Sequence, residues 1–149
     1  MNFIPENKNI LTKAQAREMN PLVLAYIGDA VHSLFSREKF ATTTTLKTHK
    51  LHEKVSQEVN AKAQAKLVNE LKESLNEEEN EIFHRARNSH VNNIAKHASV
   101  LEYLEATGFE AVIGYLYLTG QQERLELFLK NEEWRNKWKV KRNPIVKKE

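Results

Sequence analysis

The fold turns on NPLVLAYIGDAV, Asn20 to Val31, and its continuation HSLF to Phe35. Asn20 is a side-chain cap and Pro21 occupies the first helical position, where its missing N–H costs nothing, so a helix starts here and runs to about Phe35. That helix is apolar along its length and holds one formal charge, Asp29. FEAVIGYLYL, Phe109 to Leu118, repeats the situation with Glu110 as its only charge. A buried, unpartnered carboxylate is expensive, so each acid needs a cation, a hydrogen-bond network or a raised pKa, unless it lies at the margin of the buried face against solvent or a backbone N–H. Neither stretch supplies a Lys or Arg. Each acid comes with a glycine: Gly28 precedes Asp29, and Gly114 follows Glu110 by four residues on the same helical face. Glycine in a helix interior costs about 0.5–1 kcal/mol relative to alanine, and it commonly marks a close approach by another backbone. Two helices crossing at these glycines bring the two carboxylates together. A hard divalent cation such as Mg²⁺ is the natural partner for carboxylates that face each other.

Outward from these two stretches, the whole chain favours helix. Only 4 Gly and 3 Pro interrupt 149 residues, and the expected class is all-α. A second segment begins near Thr44-Thr45 and places Leu51, Val55, Val59, Ala63, Leu67, Leu71 and Leu75 four residues apart. That spacing drifts by about 40° per step around a 3.6-residue helix, so the segment must bend, break or change packing partner before Leu75. Thr42 to Thr45 read as loop and helix cap. Asn76 followed by Glu77, Glu78 and Glu79 predicts a new helix with an Asn76/Glu79 capping box and acids on the positive end of the dipole. It carries Ile82 and Phe83 into the run Arg85 to His90, and a less regular stretch extends from Ser89 to about His97. Val100 to Leu118 is a third apolar segment, with a kink or interruption expected near Gly108 and Gly120 as its C′ residue. Gln121 to Lys130 closes as an amphipathic helix on Leu125, Phe128 and Leu129.

The length fits one domain. We draw it at residues 1–131, followed by a basic tail, 132–149, with seven basic residues from Trp134 onward against Glu149. Such a tail is expected to be partly disordered without a partner. The absence of Cys excludes disulfides, thiolate metal sites and cysteine catalysis. Met1 to Glu6 lacks the pattern of a signal peptide, and no apolar run approaches the roughly 18 residues of a membrane span. A cytoplasmic protein with no membrane partner is expected. The net charge of +3 says less than its distribution. Glu70 to Glu81 is acid-rich, whereas His84 to His97 carries Arg85, Arg87, Lys96 and three His with no acid. That segregation suits a phosphate-binding loop, or a solvated loop whose arginines pair with Glu77 to Glu81. Lys47, His49, Lys50, His52 and Lys54 form a second basic cluster. His49 and His52 lack the third ligand that a metal site needs.

NPLVLAYIGDAV resembles the signature helix of ribonuclease III catalytic domains, and FEAVIGYLYL resembles the family's second acidic motif. RARN (Arg85 to Asn88), AKAQA (Ala61 to Ala65) and the lack of a double-stranded RNA-binding domain are similar to the short mini-ribonuclease III branch. The resemblance runs from about Asn20 to Leu129. It implies an all-helical, homodimeric endonuclease domain that hydrolyses phosphodiesters in double-stranded RNA with Mg²⁺ as cofactor. Asp29 then corresponds to the signature aspartate and Glu110 to the essential glutamate, both as catalytic residues and metal ligands. Leu22, Ala25 and Thr107 stand where the larger enzymes carry further acids, which leaves water and RNA phosphate oxygens to complete the Mg²⁺ shell.

The implied substrate is precursor large-subunit (23S) ribosomal RNA, with ribosomal proteins as agents that present it. Duplex RNA is bound through phosphates, 2′-hydroxyls and shape. The residues expected to contact it are Arg85, Arg87, Asn88, Lys96, Lys47 and Lys50. Cutting both strands takes two sites, which a two-fold dimer provides. Leu22, Ala25 and Tyr26 suit that interface, or else fill the monomer core. The competing class is a non-catalytic RNA-binding or ribosome-assembly protein on the same fold, which Ala25 and Thr107 keep open.

Overall fold

The structure, a computed structural model, describes residues 10–89 and 100–130. These residues form seven α-helices: α1 (Lys13–Glu18), α2 (Pro21–Thr43), α3 (Thr48–Val59), α4 (Ala61–Leu71), α5 (Glu77–Asn88), α6 (Val100–Leu118) and α7 (Gln122–Leu129), with a 3₁₀ turn at Lys72–Ser74. The class is all-α, as expected. The short α1 opens with a Thr12/Gln15 capping box. No helix among the described residues is long and apolar enough to cross a membrane.

Helix α6 is the centre of the molecule. From Glu105 to Leu116 every residue except Glu110 is buried. A helix that is apolar all round needs neighbours on all sides, and α2, α4, α5, α7 and α1 supply them. Its tightest neighbour is α2. A Cβ built on Gly28 would lie 1.7 Å from the carbonyl oxygen of Glu110 and 2.9 Å from the amide nitrogen of Gly114. One built on Gly114 would lie 2.0 Å from the carbonyl oxygen of Leu24. The two backbones therefore touch at the two glycines that accompany the acids.

The helix ends follow local chemistry. Asn20 Oδ1 accepts from Leu22 N at 2.8 Å, and the Asn76/Glu79 box is complete, at 2.8 and 3.0 Å. Gly120 has φ +69°. Its N–H donates to Tyr117 O and that of Gln121 to Leu116 O, the two bonds of a Schellman ending. The drifting Leu51 to Leu75 stripe breaks at Asn60, which ends α3 and, by accepting from Ala63 N at 2.8 Å, begins α4.

Three expectations need correction. Helix α2 runs past Phe35 to Thr43, because Ser36 and Lys39 on its second half both bond Glu58 of α3, each at 2.5 Å. The threonines end α2 and do not begin α3: the hydroxyls of Thr42, Thr43 and Thr44 donate back to Glu38 O, Lys39 O and Phe40 O. Helix α6 is uninterrupted at Gly108, where the missing side chain makes room for the Phe83 ring. The irregular stretch after Ser89 and the tail 132–149 lie outside the described residues.

Helix α7 is fastened by a buried ion pair. Glu79 is fully buried, and Arg124 grips both its oxygens at 2.7 Å while also donating to Ser74 O. The same Glu79 closes the capping box of α5, so one carboxylate serves a helix start and an interhelical bridge.

The crossing generates a stability test. Gly28→Ala and Gly114→Ala each place a carbon inside backbone atoms that cannot move separately, and each is expected to cost at least about 3 kcal/mol. Gly120→Ala meets only the end of the Ile10 side chain and a strained φ, at about 1–2 kcal/mol. Urea unfolding followed by circular dichroism orders the three variants. Near-native stability of Gly28→Ala contradicts the crossing.

Candidate active site

The α2/α6 crossing carries Asp29 and Glu110 to one place, close enough for a side-chain hydrogen bond between the two carboxyls. They are not equivalent. Asp29 is exposed and Glu110 half-buried, so the expectation of two acids buried in a core holds only in part: α2 turns Asp29 outward at the edge of the contact. Burial, the Asp29 charge and the hydrogen bond with Asp29 push the Glu110 carboxyl up to about 8 from its ordinary 4.5, while a bond from Gln64 opposes the rise. Without a cation, the pair is relieved by a proton held on Glu110.

Two residues behind the pair carried no role in the sequence reading. Gln64 of α4 and His32 of α2 are buried, at 1% and 3% exposure. Gln64 Nε2 lies 3.3 Å from Glu110 Oε2 and 3.0 Å from His32 Nδ1. The His32 ring meets Phe109 edge-on at 5.4 Å. Burial lowers the His32 imidazole to about 4 from 6.5, so it is neutral, and its Nδ1 accepts from the Gln64 amide. A signal for Gln64 was present in the sequence: Gln64, Leu67, Val68 and Leu71 share one helical face, so the amide stands in a core row.

The positions of the further acids carry none here. Ala25 is buried, Leu22 is half-buried, and the buried Thr107 hydroxyl donates to Tyr103 O. No cluster of three or more His, Cys, Asp or Glu that could hold a metal occurs among the described residues. The candidate donor set is the two carboxylates of Asp29 and Glu110. Two hard, anionic oxygen donors with an exposed side fit a divalent cation that keeps most of its shell as water.

The basic residues divide. Arg85 donates to the carbonyl oxygens of Arg17, at 2.7 Å, and Met19, at 3.4 Å, clasping the end of α1. Arg87 Nε bonds the buried Glu105 at 3.1 Å. Neither pairs within Glu77 to Glu81 as one reading of the loop had it, although the neighbouring Arg17 does meet Glu81. Asn88, Lys47 and Lys50 are exposed, with Lys50 facing Glu53 at 3.6 Å. Lys96 lies outside the described residues.

The family model described as Ribonuclease III domain matches residues 22–121, a span that holds both acids and their crossing. The chain belongs to the ribonuclease III family. Within that family it stands with the mini-ribonuclease III proteins. It is 49% identical over 120 residues to the mini-ribonuclease 3 of Clostridium tetani, covering 80% of each chain. It is 45% identical over 129 residues to that of a Thermoanaerobacter species, covering 87% of this chain and 90% of the relative. A crystal structure of a Fusobacterium nucleatum protein superposes with a TM-score of 0.71 at 31% identity, covering 80% of this chain and 96% of the other. The ribonuclease III fold is thus shared in sequence and in shape.

The carboxyl pair has a pH signature. Between pH 4.5 and about 8 the folded protein holds a proton on Glu110 that the unfolded chain has released, so stability falls as pH rises. His32 acts oppositely between about 4 and 6.5, where the unfolded chain binds the extra proton. The two oppose below pH 6.5, and Glu110 acts alone above it. In chelator, the melting temperature is expected to fall from pH 6.5 to 8 and to stay flatter in Glu110→Gln. Equal slopes in wild type and variant contradict the assignment.

Proposed function

We propose that the chain is a Mg²⁺-dependent endoribonuclease that hydrolyses phosphodiester bonds in double-stranded RNA at Asp29 and Glu110. The endoribonuclease class follows from the family, and the observation that carries the site is the pair of acids at the α2/α6 crossing. Asp29 and Glu110 would hold the cation. When bound, Mg²⁺ supplies positive charge at the scissile phosphate and makes water there easier to deprotonate. The exposed Asp29 stands where phosphate and water arrive. Glu110, with less solvent around it, keeps its orientation from the protein interior. Glu110 would give up its proton to hold the cation, whose charge would then offset the repulsion between the two acids.

The substrate proposed is precursor 23S ribosomal RNA in the cytoplasm, matured at its ends and presented by ribosomal proteins. The exposed Lys47, Lys50 and Asn88 are the RNA contacts in this reading. Arg85 and Arg87, each with part of its guanidinium bonded within the fold, offer their remaining N–H donors and positive charge to the RNA, and Lys96 extends the same basic run. Purified protein is expected to cut duplex RNA in Mg²⁺, while Asp29→Asn and Glu110→Gln lose cleavage and keep duplex binding. If wild type leaves duplexes intact at every Mg²⁺ concentration but binds them, the non-catalytic RNA-binding reading replaces this one.

The same proposal takes the active form to be a homodimer. Ala25 points into the core, so the stripe available to a second copy is Val23, Tyr26, Ala30 and Leu34, all exposed on α2, with Tyr26 at 77%. An exposed aliphatic and aromatic row on a helix suits a self-complementary contact. Light scattering is expected to give a dimer for wild type and a monomer for Tyr26→Asp/Leu34→Asp. A monomeric wild type overturns this part of the reading.

A further inference from the structure

Glu110 reaches the site from a helix whose neighbours are almost all apolar, and a carboxylate there has few partners to fix its rotamer. The polar group beside it in the interior is Gln64. A buried amide is costly unless hydrogen-bonded, so its placement has to be supported from elsewhere. Asn60 provides the first support: as the break between α3 and α4 it caps the new helix and receives Gln64 N at 3.0 Å, setting Gln64 at the first turn of α4. His32 provides the second, because its Nδ1 lies 3.0 Å from Gln64 Nε2. An amide nitrogen carries two hydrogens. One is directed to His32 Nδ1 and the other to Glu110 Oε2 at 3.3 Å.

This orientation of the amide goes with a His32 Nδ1 that carries no proton. Rotated by 180°, Gln64 would present its carbonyl oxygen to both groups and would need a proton on Nδ1 and on Glu110 Oε2. His32 comes one turn after Asp29 on α2 and rests edge-on against Phe109, the residue before Glu110. The chain of contacts therefore runs from α2 through α4 to α6, and it ties the carboxylate on one helix to the backbone that carries the other. The donor is also neutral. A Lys or Arg in its place would cancel the negative charge that a cation needs, whereas an amide orients the carboxylate and leaves that charge in place.

We propose that Gln64 is a positioning residue of the site: oriented by His32, its side-chain amide holds Glu110 Oε2 and sets the Glu110 carboxylate toward the cation. The AKAQA segment, Ala61 to Ala65, thereby acquires a role. This inference rests on the reading of Asp29 and Glu110 as the hydrolytic pair.

The test compares wild type with Gln64→Met, which keeps length and burial and removes the donor. Mg²⁺ and Mn²⁺ affinities are measured without RNA by calorimetry, and kcat and KM are measured on duplex RNA. Loss of an oriented partner of a metal ligand is expected to weaken cation affinity roughly 10- to 100-fold, with a similar fall in kcat, an unchanged KM for RNA and partial recovery at high Mg²⁺. Wild-type affinity and kcat in Gln64→Met overturn the proposal. Should that variant not fold, nitrogen-15 spectra of the wild type decide. The proton of His32 is expected on Nε2, and the Gln64 side-chain amide signals are expected to move when Mn²⁺ or Mg²⁺ is added. A proton on Nδ1, or amide signals indifferent to the cation, overturns it. If wild type fails to cut duplex RNA, the proposed activity falls, and the RNA-free affinities still decide the role of Gln64.

Discussion

Helices α2 and α6 touch backbone to backbone, and the other features of the molecule follow from that contact. Gly28 and Gly114 face each other's helices with no room for a side chain. At such a distance, residues next to the glycines are forced into proximity whatever their chemistry, and in this chain those residues are Asp29 and Glu110. Left to themselves, two carboxylates would separate. The contact overrides their repulsion because moving them apart would expose α6, whose Phe109, Val112, Ile113 and Leu116 are almost wholly buried. A single Leu- or Phe-sized side chain contributes about 1.5–3 kcal/mol on burial, so several of them outweigh the cost of one half-buried carboxyl group.

The structure manages its buried charge in two ways, and the contrast bears on function. Glu79 is fully buried but answered in full: Arg124 takes both oxygens and the Asn76 N–H takes one again. Glu105 is likewise met by Arg87 and Lys72. These acids are structural and hold helices together. Glu110 receives only the neutral amide of Gln64 and the side chain of its fellow acid. Of these three acids, Glu110 is the one met by a neutral donor and a fellow carboxyl in place of a cation.

Much of this was legible in the sequence, and the boundary of legibility is physical. The acids and glycines could be read together because a glycine inside an apolar helix has few explanations other than close approach. Caps at Asn20, Asn76 and Gly120 could be read because they are local. That the segment could not run on unchanged to Leu75 followed from geometry, since a four-residue stripe cannot stay on one face, but its break at Asn60 did not. What escaped depends on partners far along the chain. The second half of α2 is held by Glu58, and Gln64 finds Glu110 only after three helices have folded. The arginines at 85 and 87 were visible as positions, whereas their partners in the fold, the carbonyls of Arg17 and Met19 and the carboxylate of Glu105, were not.

The departures at Leu22, Ala25 and Thr107 follow the same logic. Ala25 belongs to the packed face of α2 and Thr107 satisfies its hydroxyl on its own helix, so neither position has room for a ligand without rebuilding the core. On the proposed reading, two carboxylates would not fill the octahedral oxygen shell of Mg²⁺, and the remaining positions would fall to water and substrate. In the proposed site, cation and RNA phosphate would each supply part of the other's binding, so that their affinities would be coupled. The fewer the protein ligands, the more the orientation of each one matters. Asp29 is exposed, and the acid whose orientation the interior can enforce is Glu110, which is where Gln64 and His32 stand.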